Sequence, residues 1–203
     1  MYDGFRKRLP VMGGSKHFKK QFRRNLCNPV RAKEAWMHYC EVVETDMGRL
    51  WIACSPDGIT MIALARETWI PVERTYRKLF GVVPQPGKVP ERYKRALRRA
   101  VAGHEFAPVP IDLSGVTKFQ LRVLKELQKV PRGEVRTYSW LAQKAGCPRA
   151  ARAVGSAMAR NPVPFLVPCH RVVPASGGTG NYGLGKSRKR ELLRREGVAV
   201  DQL

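Results

Sequence analysis

The chain is 203 residues long and 43% hydrophobic, with 38 Lys+Arg against 16 Asp+Glu and a formal net charge of +22. That length holds one large or two small domains with enough apolar content for a core, and so large a positive surplus points to a polyanionic partner, nucleic acid ahead of an anionic membrane surface. No apolar run approaches the ~20 residues of a transmembrane helix, the N-terminus lacks the apolar core of a secretory signal, and five cysteines (27, 40, 54, 147, 169) show no Cys-x-x-Cys spacing; an intracellular, reducing compartment is expected, with no disulfide framework.

Residues 1–36 carry many Lys and Arg against Asp3 and Glu34, with Gly13-Gly14 and no sustained hydrophobic period. They read as a basic extension, open equally to a nucleic-acid contact and to a solvated tail. From His38 the pattern becomes short strands at residues 38–44, 49–54 and 59–64, separated by Asp46-Met47-Gly48 and Ser55-Pro56-Asp57-Gly58. Both separators are turn sequences, so a three-stranded antiparallel meander is expected. A Pro/Gly-rich connector spans residues 84–90, after which Tyr93, Ala96, Leu97, Ala100 and Val101 mark the apolar face of a helix whose other face is basic. A second connector at residues 103–115 is the expected domain boundary, giving an α/β unit at 37–110 and a second unit at 111–203.

In the second unit Phe119, Val123, Leu124, Leu127 and Val130 keep helical spacing up to Pro131, and Pro131-Arg132-Gly133-Glu134 turns the chain. Ser139 is the expected N-cap of a short helix at 140–145 that stops at Gly146, and Pro148 is expected to open the next helix at its first position. Helix, Gly-containing turn, helix is a helix-turn-helix signature. The second helix, 148–160, carries Arg149, Arg152 and Arg160 among Ala, Gly and Ser. Such a face lacks the long polar side chains that read base edges in the major groove, and suits a minor groove bound without sequence preference. Tight packing of the alanines in a helical core would give the same pattern.

Residues 161–173 read Asn-Pro-Val-Pro-Phe-Leu-Val-Pro-Cys-His-Arg-Val-Val. The prolines fix φ and remove backbone donors, so this stretch is stiff and is neither helix nor central strand. Where the apolar run 163–167 meets Pro168, as a strand would end, Cys169 and His170 stand side by side. A thiol is a weak nucleophile until it loses its proton, and an imidazole oriented by a carboxylate is a standard route to thiolate near neutral pH. A buried structural cysteine beside a core histidine is the plainer alternative for the pair alone.

The longer string decides between them. Pro168-Cys169-His170-Arg171-Val172, preceded by Asn161-Pro162 and followed by Gly180-Asn181-Tyr182 and Glu196-Gly197, resembles the active-site signature of the O6-alkylguanine-DNA alkyltransferases, direct-reversal DNA repair proteins. The resemblance runs over roughly residues 112–197 and leaves the basic extension uncovered. It implies an α+β fold: a small N-terminal antiparallel sheet with flanking helices, ribonuclease H-like, followed by a mainly helical domain with a helix-turn-helix. It implies a protein that binds duplex DNA through the minor groove, flips an O6-alkylguanine out of the stack and transfers the alkyl group to Cys169 in a single turnover. His170 and Glu196 then correspond to the groups that remove the thiol proton through a water, Asn161 to the residue that organises the turn, and Tyr138 to the tyrosine that rotates the phosphate and donates a proton toward the base. Arg152 corresponds to the side chain that fills the gap left by the flipped nucleotide, with Arg149, Ala151, Arg171 and Tyr138 as further DNA contacts. Asn181, Tyr182, Gly183 and Val172 are implied to bind the base. Gly183 departs from the serine common there, which leaves only a backbone donor for O6.

No cofactor is expected and a monomer suffices. A structural zinc held by some of Cys27, His38, Cys40, Cys54 and His104 is a minor alternative, without diagnostic spacing. A lesion sensor lacking chemistry would lack Cys169, a metal-regulated activator would carry a four-cysteine domain, and a thiol hydrolase would need an oxyanion hole. The compartment expected is the cytoplasm or nucleoid of a prokaryote, or the nucleus of a eukaryote.

Overall fold

The computed structural model describes residues 38–65 and 70–203; the basic extension at 1–36 lies outside them. The expected meander is present as β1 (Tyr39–Thr45), β2 (Gly48–Ser55) and β3 (Gly58–Leu64), antiparallel throughout, with the two-residue β4 (Gln85–Pro86) added parallel to β1 in the order β3-β2-β1-β4. Alternation puts Leu50, Ile52, Cys54, Ile59 and Ile62 against Tyr93, Leu97 and Val101 of helix α2 (Glu91–Val101), on the face expected from their spacing. The opposite face, with Cys40, Ala53 and Met61, is covered by helix α1 (Ile70–Phe80) through Tyr76. Sequence spacing did not anticipate α1, because Tyr76 is its only fully buried side chain. Its hydroxyl lies 2.9 Å from Thr60 Oγ1 and 2.7 Å from His38 Nδ1, so the helix is pinned by a polar contact as much as by an apolar stripe.

Strand β3 forms one edge of the sheet, and the rest of the chain closes that edge. Ile59 N–H donates to Pro110 O at 2.9 Å, Asp112 N–H donates to Ile59 O at 2.9 Å, and Ile62 N–H donates to Pro162 O at 2.8 Å. Asp112 accepts from Ser55 Oγ at 2.7 Å and from Ser114 N–H at 2.9 Å. Apolar side chains continue across this seam in one cluster, from Leu50 and Leu97 to Leu124, Leu141, Val154, Phe165 and Leu192.

Beyond it, α3 (Lys118–Leu127) is capped by Thr117 and buries Val123, Leu124 and Leu127. β5 (Arg136–Thr137) pairs in parallel with β6 (Val172–Val173), tying the helix that follows β5 to the segment that follows Cys169. Two expected boundaries are corrected. Helix α4 spans Tyr138–Lys144, and its cap is Thr137, not Ser139: β5 delivers Thr137 in an extended conformation, and its Oγ1 accepts from Trp140 N–H at 3.1 Å. Helix α5 spans Ala151–Ala159, because Ala150 N–H closes a turn onto Cys147 O at 2.9 Å and Pro148 occupies that turn instead of opening the helix. A last helix, α6 (Lys186–Arg195), packs on the turn that holds Cys169.

Gly58 sits where the β3 edge meets the connector. With φ +145°, any Cβ there would stand 2.5 Å from Pro110 O. Gly58→Ala is expected to lower stability by about 2 kcal/mol or more through clash and strain, read from urea midpoints; an unchanged midpoint would mean that the edge contact contributes nothing.

Candidate active site

The apolar run 163–167 is not a strand. Val167 N–H bonds to Val163 O at 3.0 Å, Phe165 adopts φ 71°, and the chain enters a single 3-10 turn over Cys169–Arg171. Asn161 organises this path: its Oδ1 accepts from Val163 N–H at 3.0 Å, and its Nδ2 donates to Val167 O at 2.9 Å and to Cys169 Sγ at 3.2 Å. Cys169 is 7% exposed. Burial pushes its thiol above the ordinary range, while the Asn161 amide, the charge of Lys189 and the Tyr182 hydroxyl all pull it down.

His170 is buried beside it. Its Nε2 stands 2.9 Å from Glu196 Oε1, and Arg171 grips both oxygens of that carboxylate, Nε to Oε2 at 2.8 Å and Nη2 to Oε1 at 2.7 Å. Burial alone would raise the Glu196 carboxyl, but the bonds from His170 and Arg171 bring it down to about 2. An ionised carboxylate only accepts, so Nε2 carries the ring hydrogen and Nδ1 holds a lone pair. Nδ1 is buried with no hydrogen-bond partner among the described residues. Burial depresses the His170 pKa against the pull of Glu196, which keeps the ring neutral and basic at Nδ1.

A cavity of about 590 Å³ opens over the thiol, walled by Tyr138, Met158, Asn161, Tyr182 and Gly183 and, from the N-terminal sheet, by Ile62 to Leu64. Asn181 also lines it. Burial raises the Tyr138 hydroxyl, then the Cys169 charge, so it stays protonated. Tyr182 is raised well above its ordinary value by burial and by Cys169. Val172 is fully buried and does not line the cavity.

On α5, whose Gly155, Met158 and Ala159 line the cavity, and on the turn before it, Arg149 and Arg152 are exposed and Ala151 is half-buried, Arg149 on the turn and Arg152 on the first turn of the helix. Arg171 is the exception among the residues expected at DNA. Its guanidinium is spent inside the protein, on Glu196 and on Val130 O at 2.7 Å, so it braces the carboxylate and does not reach outward. Of the residues named for a structural zinc, Cys40 pairs with Ala53 while Cys54 pairs with Tyr39, which puts these two thiols on opposite faces of the sheet, and Cys27 lies outside the described residues.

Two residues of the site escaped the sequence reading. Gln120 is buried and donates from Nε2 to Ala157 O at 3.2 Å and to Arg160 O at 2.8 Å, capping the end of α5 next to Asn161. Lys189 is 0% exposed, with Nζ 2.6 Å from Val172 O. Each shares helical spacing with buried neighbours, Gln120 with Val123, Leu124 and Leu127, and Lys189 with Leu192, Leu193 and Glu196. A polar side chain on the inward stripe was the available signal.

The Glu196 carboxyl lies below its unfolded value of 4.5, so its stabilisation is present above that pH and is lost as pH falls toward about 2. Glu196→Gln is expected to cost about 3 kcal/mol at neutral pH, as for other broken buried pairs, and to flatten the melting-temperature profile between pH 4.5 and 2.5 relative to wild type. Parallel profiles for the two proteins would rule out the pair as a source of acid sensitivity.

The family model for the 6-O-methylguanine DNA methyltransferase DNA-binding domain matches residues 118–198. The chain is 38% identical over 162 residues to the methylated-DNA–protein-cysteine methyltransferase of Mycobacterium leprae, covering 79% of this chain and 93% of that one. To the protein of the same description from Mycolicibacterium paratuberculosis it is 49% identical over 160 residues, 76% and 89% of the two chains. The crystal structure of Mycobacterium tuberculosis OGT in complex with DNA is similar at TM-score 0.65 and 35% identity, covering 78% of this chain and 92% of that chain. With its cysteine at a cavity beside a linked histidine and glutamate, and with 38% identity spanning 93% of a relative's length, the chain belongs to the methylated-DNA–protein-cysteine methyltransferase family.

Proposed function

We propose that this protein repairs duplex DNA by moving the alkyl group of an O6-alkylguanine onto Cys169, once per molecule. The observation that carries the reading is the contiguous set Asn161, Cys169, His170 and Glu196, whose thiol lines a cavity that Gly155, Met158 and Ala159 of the Arg152-bearing helix α5 also line. A stacked guanine cannot present its O6 substituent to a thiolate held on a protein, so the base must leave the helix. Helices α4 and α5 act as a helix-turn-helix in the minor groove, and Arg152, exposed and without an ion pair among the described residues, takes the space the nucleotide vacates. Residues 37–110, whose order β3-β2-β1-β4 supports a ribonuclease H-like sheet, form the supporting unit, and residues 111–203 the reacting one.

In the reaction His170 Nδ1 receives the Cys169 proton through a bridging water, and Glu196 and Arg171 hold the ring that bears the new charge. The thiolate attacks the alkyl carbon in line. A C–S bond forms as the C–O6 bond breaks, and guanine leaves with the electron pair, neutralised by a proton from the Tyr138 side. Asn181, Tyr182 and Gly183 contact the base edge. No step draws on a metal or cofactor, and a monomer can complete it. A sensor that binds without chemistry is disfavoured by Cys169 itself. The setting is the compartment that holds the DNA.

Nothing lining the cavity can displace an alkyl group from a thioether, so transfer from labelled O6-methylguanine duplex should saturate near one equivalent per protein, with the label on the Cys169 peptide and none in Cys169→Ser. Repeated turnover by a substoichiometric amount of protein would refute the single-use reaction. Arg152→Ala should slow repair of the paired lesion on the order of tenfold or more, since only the duplex requires unstacking, and leave reaction with the free base within about twofold. Equal losses with both substrates would assign Arg152 to folding.

A further inference from the structure

We propose that Lys189 is a positioning residue for the reactive sulfur: its buried ammonium is the counter-cation that lets Cys169 ionise inside the protein, and its bond to Val172 fixes the turn that carries the thiol. This rests on Cys169 being the alkyl acceptor. A fully buried lysine is rare unless it is paired. Lys189 projects from α6 into the core, is 0% exposed, and donates to Val172 O at 2.6 Å. No carboxylate comes within ion-pair distance of it among the described residues. Val172 follows directly on the 3-10 turn Cys169–Arg171, against which α6 packs.

The charges around the sulfur leave Lys189 unbalanced until the thiol ionises. From the reactive turn come His170, kept neutral by burial, and Arg171, whose charge is matched by Glu196 beyond α6 through two hydrogen bonds. From α4 and the glycine-rich loop at 175–185 come Tyr138 and Tyr182, both held protonated by burial. Asn161 is neutral and donates to the sulfur. With a neutral thiol the enclosed groups sum to one positive charge, that of Lys189; with a thiolate they sum to zero. Ionising the sulfur therefore removes a buried excess charge instead of creating one. Burial brings Lys189 down to about 8, which leaves the ammonium the major form at neutral pH, and the Cys169 charge acts to raise it. The same attraction lowers the thiol.

The test reads Cys169 ionisation without DNA. Alkylation of the Cys169 peptide by iodoacetamide is followed by mass spectrometry as a function of pH in wild type, Lys189→Met and Lys189→Arg, with melting curves to establish that each is folded. Lys189→Met should move the midpoint of the rate profile upward by about one pH unit or more, cutting the neutral-pH rate on the order of tenfold per unit, and should recover the wild-type rate at high pH; Lys189→Arg should stay near wild type. A folded Lys189→Met with an unshifted midpoint overturns the proposal. A second measurement needs no variant: the Lys189 side-chain titration, followed by NMR, should shift downward once Cys169 is capped as a neutral thioether, and an unmoved titration overturns the proposal equally. If these couplings hold while DNA transfers no alkyl group, the electrostatic inference survives and the repair reading fails.

Discussion

A sulfur that must attack carbon is most reactive away from water, yet burial opposes the charge that makes it reactive. As the proposed alkyl acceptor, Cys169 lies on that conflict, and the surrounding structure answers it piece by piece. Burial raises the thiol, and three of the influences that lower it arrive from different parts of the chain: the Asn161 amide from the end of α5, the Lys189 ammonium from α6, and the Tyr182 hydroxyl from the glycine-rich loop at 175–185. Of these the Lys189 ammonium is fully buried, so it escapes most of the screening that weakens surface charges. Glu196 is held ionised by Arg171 for a related reason. A neutral carboxyl could donate to Nε2 and shift the ring hydrogen to Nδ1, which would remove the lone pair that has no other partner among the described residues.

Holding so many groups to a single sulfur requires a rigid frame, and the elements far from the chemistry supply it. The β3 edge accepts the connector through Ile59 and holds the proline-rich loop through Ile62, so the N-terminal sheet braces the segment that carries the thiol. Gln120 donates to two carbonyls at the C-terminal end of α5, Ala157 O and Arg160 O, directly before Asn161. Parallel pairing of Arg136 with Val172 links the start of α4, and hence Tyr138, to the segment after the reactive turn. The outward face of α5 and the inward thiol are therefore anchored to the same few backbone groups, and a displacement of one is felt at the other.

Much of this was legible in the residues, because the signals are local. The meander followed from alternation and from Ser55-Pro56-Asp57-Gly58; α2 and α3 followed from 3.6-residue periodicity. The reactive stretch was marked by its prolines and by Cys169-His170. What failed depended on contacts distant in sequence. Ser139 is a good cap residue two positions too late, and the pairing of β5 with β6 makes Thr137 the cap. Pro148 suits a helix start and a turn equally, and the Ala150 to Cys147 bond chose the turn. Arg171 had the composition of a phosphate ligand, but its neighbour in space is Glu196, 25 residues on. Lys189 was hidden in a basic helix whose other charges are largely on its surface.

That helix shows how the two uses of positive charge in this chain are separated. α6 carries Lys186, Arg188, Lys189, Arg190, Arg194 and Arg195, yet only Lys189 is fully buried. Arg190 and Arg194 share Asp201, and Arg195 pairs with Glu191, so those charges are answered at the surface. A surface ion pair contributes little and gives way to salt. The buried ammonium is protected from both effects and acts only over the few ångströms around the reactive turn. The large positive surplus draws the chain to a polyanion over long range, whereas the reactive site requires one cation at one place. The inward periodicity of α6 selects which of its basic residues serves there: the spacing that buries Leu192 and Leu193 and ends on Glu196 carries Lys189 inward with them, and no change in net charge is needed to turn a binding residue into a positioning one.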